Sequence, residues 1–184
     1  EVRLQAYFVD ADDVALGLAL DHLRAERVGR FHEMIARLRG QGVPIEEAAI
    51  ARLSNSTTLG RPHVAALIVQ ARKAGSVREA FQRYLHDQGK AAVPKTRLPV
   101  AEAIALVRQA GGVASWAHPN YHCTREALVE LKRLGLSAVE VEYPAFQARR
   151  RKELRQLAAE VGLTITGGSD CHGPDEPRRA VGAC

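Results

Sequence analysis

Residues 167–172 read GGSDCH and place a carboxylate, Asp170, two positions from an imidazole, His172, behind a pair of glycines. A second imidazole, His118, closes the short apolar run VASWAH and is followed by Pro119. Histidine and aspartate together suit a divalent ion of intermediate hardness, such as zinc, manganese or iron. Such an ion generates a nucleophile from bound water and polarises a phosphoryl or carbonyl oxygen. Each residue also has an ordinary reading. His118 could be a partly buried histidine with a satisfied ring, and GSDCH an Asx-type turn. Only their position in the fold separates the two accounts. The glycines are expected to let the backbone turn sharply, and Pro119 to hold His118 extended at the strand end.

A second group lies in TTLGRPHVAALIV, residues 57–69. Arg61 and His63 flank a proline at the start of a helical pattern, where unpaired backbone N–H groups favour an oxyanion or phosphate. The plain alternative is a helix start with proline in its first turn and an arginine in solvent. Lys90, in DQGKAAVP, is a lone lysine after a glycine. His22, His32 and His86 fall in helical patterns with no partner at ligand spacing. Cys123, Cys171 and Cys184 match no zinc-finger or C-x-x-C spacing, so the two beside the histidine motifs read as small fillers in a chain of the reducing cytoplasm.

Those residues need elements to hold them. Residues 2–9 alternate and are rich in Val, Leu, Tyr and Phe, which predicts a strand. From 13 to 39, Leu16, Leu20, Leu23, Val28, Phe31, Ile35 and Leu38 recur at helical spacing. Shorter helical patterns follow at 45–53, 62–74 and 76–87. After Pro94 the rhythm changes to helix and strand in alternation: PVAEAIALVRQAGG, VASWAH, TREALVELKRLG, AVEVEY, FQARRRKELRQLAAEVG and LTITGGSDCH. Alternation at that spacing predicts crossovers in a parallel sheet. In such sheets ligands gather at the carboxyl ends of strands, which is where His118, Asp170 and His172 fall.

With 184 residues the chain can bury a real core, and a net charge of +5 with dispersed basic residues describes no polybasic tail. No run approaches the roughly 18 apolar residues of a membrane span, and no signal-peptide pattern is read. The chain opens on the strand-like EVRLQAYFVD and stops at AVGAC soon after the histidine turn, which suggests a piece of a longer protein.

GGVASWAHP and GGSDCHG resemble two signatures of the PHP (polymerase and histidinol phosphatase) superfamily, A-G-G-x-x-x-x-A-H-P and G-S-D-x-H-G. GLSAVEVEYP, between them, is similar to the same family. GRPHVAALIV and YLHDQGKAAVP resemble the branch that hydrolyses nucleoside 3′,5′-bisphosphates and trims RNA 5′ ends. The resemblance implies an α/β fold, a partial distorted β/α (TIM-like) barrel. Residues 1–10 would form a barrel strand, 11–96 a helical insertion and 97–184 the carboxyl-terminal βα units.

By the same resemblance, His118, Asp170 and His172 would be ligands of manganese, zinc or iron, and Arg61, His63 and Lys90 would lie near the substrate phosphate. The expected activity is that of a metal-dependent phosphoesterase acting on a phosphorylated nucleotide or RNA substrate through metal-bound water, without a membrane. The family's opening H-x-H motif would precede residue 1. Arg3 stands where relatives often carry a ligand histidine, and NYHC follows AHP where many carry an arginine. These departures leave an alternative: a catalytically degenerate PHP domain that binds nucleic acid or a protein partner. A PHP domain attached to a DNA polymerase is a third reading, which the GRPH segment argues against.

Overall fold

The computed structural model describes residues 2–53, 59–171 and 180–182. His172 lies outside them, as does Cys184. The chain divides into two compact units, residues 1–17 with 98–184 and residues 18–97.

The first unit is built on four strands, β1 (Leu4–Tyr7), β2 (Val113–Trp116), β3 (Ala138–Glu142) and β4 (Thr164–Gly167), in that spatial order. β2, β3 and β4 run parallel, joined through α6 (Arg125–Arg133) and α7 (Ala148–Val161). β1 runs antiparallel to β2, with Gln5 opposite Ser115. The α/β class expected from the sequence is present, and among the described residues its strands form an open four-stranded mixed sheet rather than a closed barrel. Three parallel neighbours follow from the alternating pattern. The antiparallel partner of β2 lies far away in sequence, where no local pattern specifies it.

The alternation of side chains sorts the sheet into two unlike faces. Ala114, Trp116, Val139 and Val141 join the apolar core formed with Ile104 and Val107 of α5 (Val100–Gln109), Leu128 and Leu131 of α6, and Leu154 and Ala158 of α7. Fully burying Ile104, Leu128 and Leu154 contributes roughly 1.5–3 kcal/mol each. The other face carries a polar residue from every strand: Gln5, Ser115, Glu140 and Thr166. Ser115 and Glu140 are both wholly buried. Ser115 is satisfied by Thr166, their hydroxyl oxygens 2.8 Å apart.

The second unit contains most of α1 (Val14–Gly40), with α2 (Glu47–Ala51), α3 (Arg61–Gln70), α4 (Val77–Ala80) and a π-helical turn at Phe81–Leu85. Its core gathers Phe31, Met34, Ile35 and Leu38 with Val64, Ile68 and Leu85. The buried stripe of α1 is shorter than its apolar spacing predicts, because Leu20 and Val28 are 43% and 40% exposed. Spacing identifies a face, but only packing against Val43, Ile45 and α3 buries it. The pattern over 76–87 resolves into α4, opened by Ser76 accepting the Glu79 N–H, and the π turn. Among the described residues no helix is long and apolar enough to cross a membrane.

Candidate active site

His118 lies two residues past the end of β2 and Asp170 three past the end of β4. Both strands are parallel to β3, so the two residues emerge at the same edge of the sheet. The Ala117 N–H donates to the Arg3 carbonyl, which sets Arg3 at that edge beside the β2 exit.

The backbone leaves the strands by a different route from the one proline and glycine suggest. His118 has φ of 28° and Asp170 φ of 51°, so neither is extended. A residue before proline is steered away from the right-handed helical region. Here the chain turns through the left-handed side instead, with the His118 N–H donating to Glu140 Oε2 at 2.5 Å. Asp170 belongs to the residue types that tolerate left-handed backbone.

Gly167 and Gly168 are not among the positive-φ glycines, so the expected glycine-driven turn is corrected to one of close approach. A Cβ at Gly167 would come within 2.6 Å of Glu142 Cβ, and one at Gly168 within 3.1 Å of Glu140 Oε1.

Two residues that motif reading passed over organise this edge. Tyr143 is buried and touches both candidate ligands. Its hydroxyl donates to Asp170 Oδ2 at 3.1 Å, and its ring centroid lies 5.4 Å from that of His118. Glu140 takes the His118 N–H on one oxygen and the Gln5 side-chain amide, at 3.1 Å, on the other. Gln5 in turn accepts from the Tyr7 hydroxyl at 3.1 Å. The sequence signal was available in AVEVEY: a strand from a parallel sheet is expected to be continuously apolar, and this one carries a glutamate at its centre.

An imidazole nitrogen and a carboxylate oxygen fit the donor chemistry of a divalent ion. Catalytic zinc sites use three protein ligands, and the described residues hold no group of three or more His, Cys, Asp or Glu able to bind one. His118 and Asp170 are at most two members of such a set. The third expected ligand, His172, lies outside the described residues.

Arg61, His63 and Lys90 belong to the second unit. Arg61 Nη1 donates to the Leu85 carbonyl at 3.2 Å and pairs with Asp87 at 2.8 Å. His63 Nδ1 accepts the Gly60 N–H at 3.2 Å and so serves as a cap for α3. Lys90 is exposed.

Cys123 packs in the core of the first unit, and burial pushes its thiol up to about 11. Because the thiolate is the reactive form, alkylation of the folded protein at pH 8 should spare Cys123 and label the exposed Cys171. Peptide mass spectrometry reads this directly. Equal labelling of the two would contradict the packing described for Cys123.

No family model matches the chain. It is 26% identical over 187 residues to a 3′,5′-nucleoside bisphosphate phosphatase from Chromobacterium violaceum, covering 98% of this chain and 66% of that protein. It is 32% identical over 161 residues to a 5′-3′ exoribonuclease from Haemophilus influenzae, covering 84% of this chain and 58% of the relative. Among solved structures, a candidate metal-dependent phosphoesterase from Bifidobacterium adolescentis superposes with a TM-score of 0.79 at 30% identity, over 96% of this chain and 64% of that one. The chain thus spans less than two thirds of the length of each of these proteins.

Proposed function

We propose that this chain belongs to the PHP-superfamily branch that its bisphosphate phosphatase and exoribonuclease relatives fit, and that the whole protein is a metal-dependent phosphoesterase. Its substrates are small nucleoside bisphosphates or RNA 5′ ends, the classes named by those relatives. The observation that carries the reading is the meeting of His118 and Asp170, from two parallel strands, on the one side chain of Tyr143.

In this reading His118, Asp170 and His172 hold a divalent ion, with manganese, zinc and iron all compatible with the donors. When bound, such an ion supplies Lewis acidity and a water of lowered pKa. Tyr143 orients the Asp170 carboxylate, and Glu140 fixes the backbone from which His118 projects. Arg61, His63 and Lys90 are the proposed phosphate partners. Among the described residues both contacts of Arg61 use Nη1, leaving Nε and Nη2 as donors for an anion. Its pair with Asp87, which is 93% exposed, is weak enough to exchange. We also assign residues 11–96 as a helical insertion between a barrel strand, 1–10, and the βα units of 97–184. A cytoplasmic location accords with nucleotide and RNA substrates.

The test is phosphate release from adenosine 3′,5′-bisphosphate by the whole protein in manganese, with and without chelator. Release that chelator abolishes is the expected result. Release that survives full chelation would exclude the metal-dependent reading. Metal binding without cleavage of any phosphate ester would favour the degenerate, binding-only domain instead.

A further inference from the structure

We propose that the cavity beside the candidate active site is a nucleobase subsite, with Tyr121 as its stacking platform. The inference rests on the phosphoesterase reading for the phosphate end of the ligand. The cavity measures about 550 Å³, and Asn120, Tyr121, Tyr143, Phe146, Arg149 and Arg150 are among the residues lining it. That volume lies within the range of roughly 300–1,000 Å³ typical of small-molecule sites.

Tyr121 is 89% exposed, so core packing does not account for an aromatic ring there. The loop that carries it is nevertheless pinned. Arg150 donates to the Asn120 carbonyl at 2.7 Å and pairs with Glu153 at 2.9 Å. Its side chain is only 10% exposed, and its guanidinium carbon sits 5.7 Å from the centroid of the Tyr121 ring. The ring is therefore backed by a held cation and open to solvent, the arrangement a stacking base needs.

The cavity and the candidate site share one residue, Tyr143. Tyr143 lines it, makes an edge contact with Phe146 at 4.9 Å between centroids, and reaches His118 and Asp170 with its ring and hydroxyl. A ligand with its phosphate at that edge would extend its organic part along Tyr143 into the cavity. The charge agrees. Among the described residues Glu153 is the one acid in the lining, and it is already paired with Arg150. Arg149 is exposed and has no hydrogen bond or ion pair among the described residues, so it is available for a second phosphate. Aromatic faces, positive charge and the shared wall together fit a phosphorylated nucleoside. Because every base has a π-face, the subsite should be base-tolerant.

Titrations followed by NMR, on the whole protein with chelator present, test this with adenosine 3′,5′-bisphosphate and the base-free ribose 5-phosphate. The nucleotide should bind more tightly than the sugar phosphate. Tyr121→Ala should weaken nucleotide binding about tenfold, within the roughly 5- to 150-fold that loss of one base stack produces. Tyr121→Phe should keep it, since the ring and not the hydroxyl is the platform. Nucleotide affinity indifferent to Tyr121, or weakened equally for both ligands, would overturn the subsite. So would a phenylalanine variant as weak as the alanine one. Amide spectra of the variants separate loss of binding from loss of fold. Chelation removes the metal from the comparison, so failure to hydrolyse any ester would count against the phosphoesterase reading and leave the Tyr121 result standing.

Discussion

Asp170→Asn in the whole protein should abolish manganese-dependent phosphate release from nucleoside 3′,5′-bisphosphates, a loss on the order of 10³-fold or more, while the protein stays folded. The two halves of that expectation have separate causes. Asparagine has the shape of aspartate, shares its tolerance of the left-handed backbone at φ 51°, and can still accept from the Tyr143 hydroxyl. The cost of that neutral replacement is about 1 kcal/mol or less in stability. The anionic oxygen donor is lost completely, and with it much of the affinity of the proposed site for manganese. Phosphate release, manganese titration and a thermal melt on the same preparation check all three points. Wild-type turnover in the variant would remove Asp170 from the metal set. A collapse of the melt would instead make it a structural residue of the β4 turn.

Much of the supporting fold is legible in the chain, and the reasons are local. VASWAH, AVEVEY and LTIT each combine β-favouring residues with a preceding helix and glycine, so the elements of the first unit read directly. What binds them across long separations does not read. Gln5 meets Glu140 across 135 positions, and Arg61 meets Asp87 across 26.

The partners of the sheet's polar face are hidden for the same reason. AVEVE shows a glutamate inside a parallel strand but not what satisfies it: Glu140 is wholly buried, with Gln5 and the backbone at His118 closing over it. Tyr143 looked like the last aromatic of a strand and is the contact shared by the two candidate ligands. Motif spelling names residues that touch a metal or phosphate. The groups that hold them become visible only when the strands are laid side by side.

Glu140 is where that second kind of residue should have its largest effect, and two substitutions there should part company. Each carboxylate oxygen receives an N–H, from His118 on one side and Gln5 on the other. Glu140→Leu leaves both donors facing an apolar side chain in a buried place, at about 1–3 kcal/mol for each, so a loss of about 2–6 kcal/mol is expected. The His118 backbone would lose its anchor at the same time, and manganese affinity should fall with it. Glu140→Gln has a way out. Its carbonyl oxygen can keep the His118 N–H while its amide faces Gln5. If the Gln5 amide turns over, its oxygen accepts from that amide and its nitrogen donates to the Tyr7 hydroxyl, which can accept as well as donate.

The glutamine variant should therefore lose about 1 kcal/mol and retain most of its metal affinity. Urea unfolding gives the stabilities, and manganese titration gives the readout that a merely structural role would leave unmoved. A leucine variant as stable as wild type, with unchanged manganese affinity, would show that Glu140 neither supports the polar face nor positions His118. Equal damage from leucine and glutamine would mean that the negative charge itself is required, and not only the pair of acceptors.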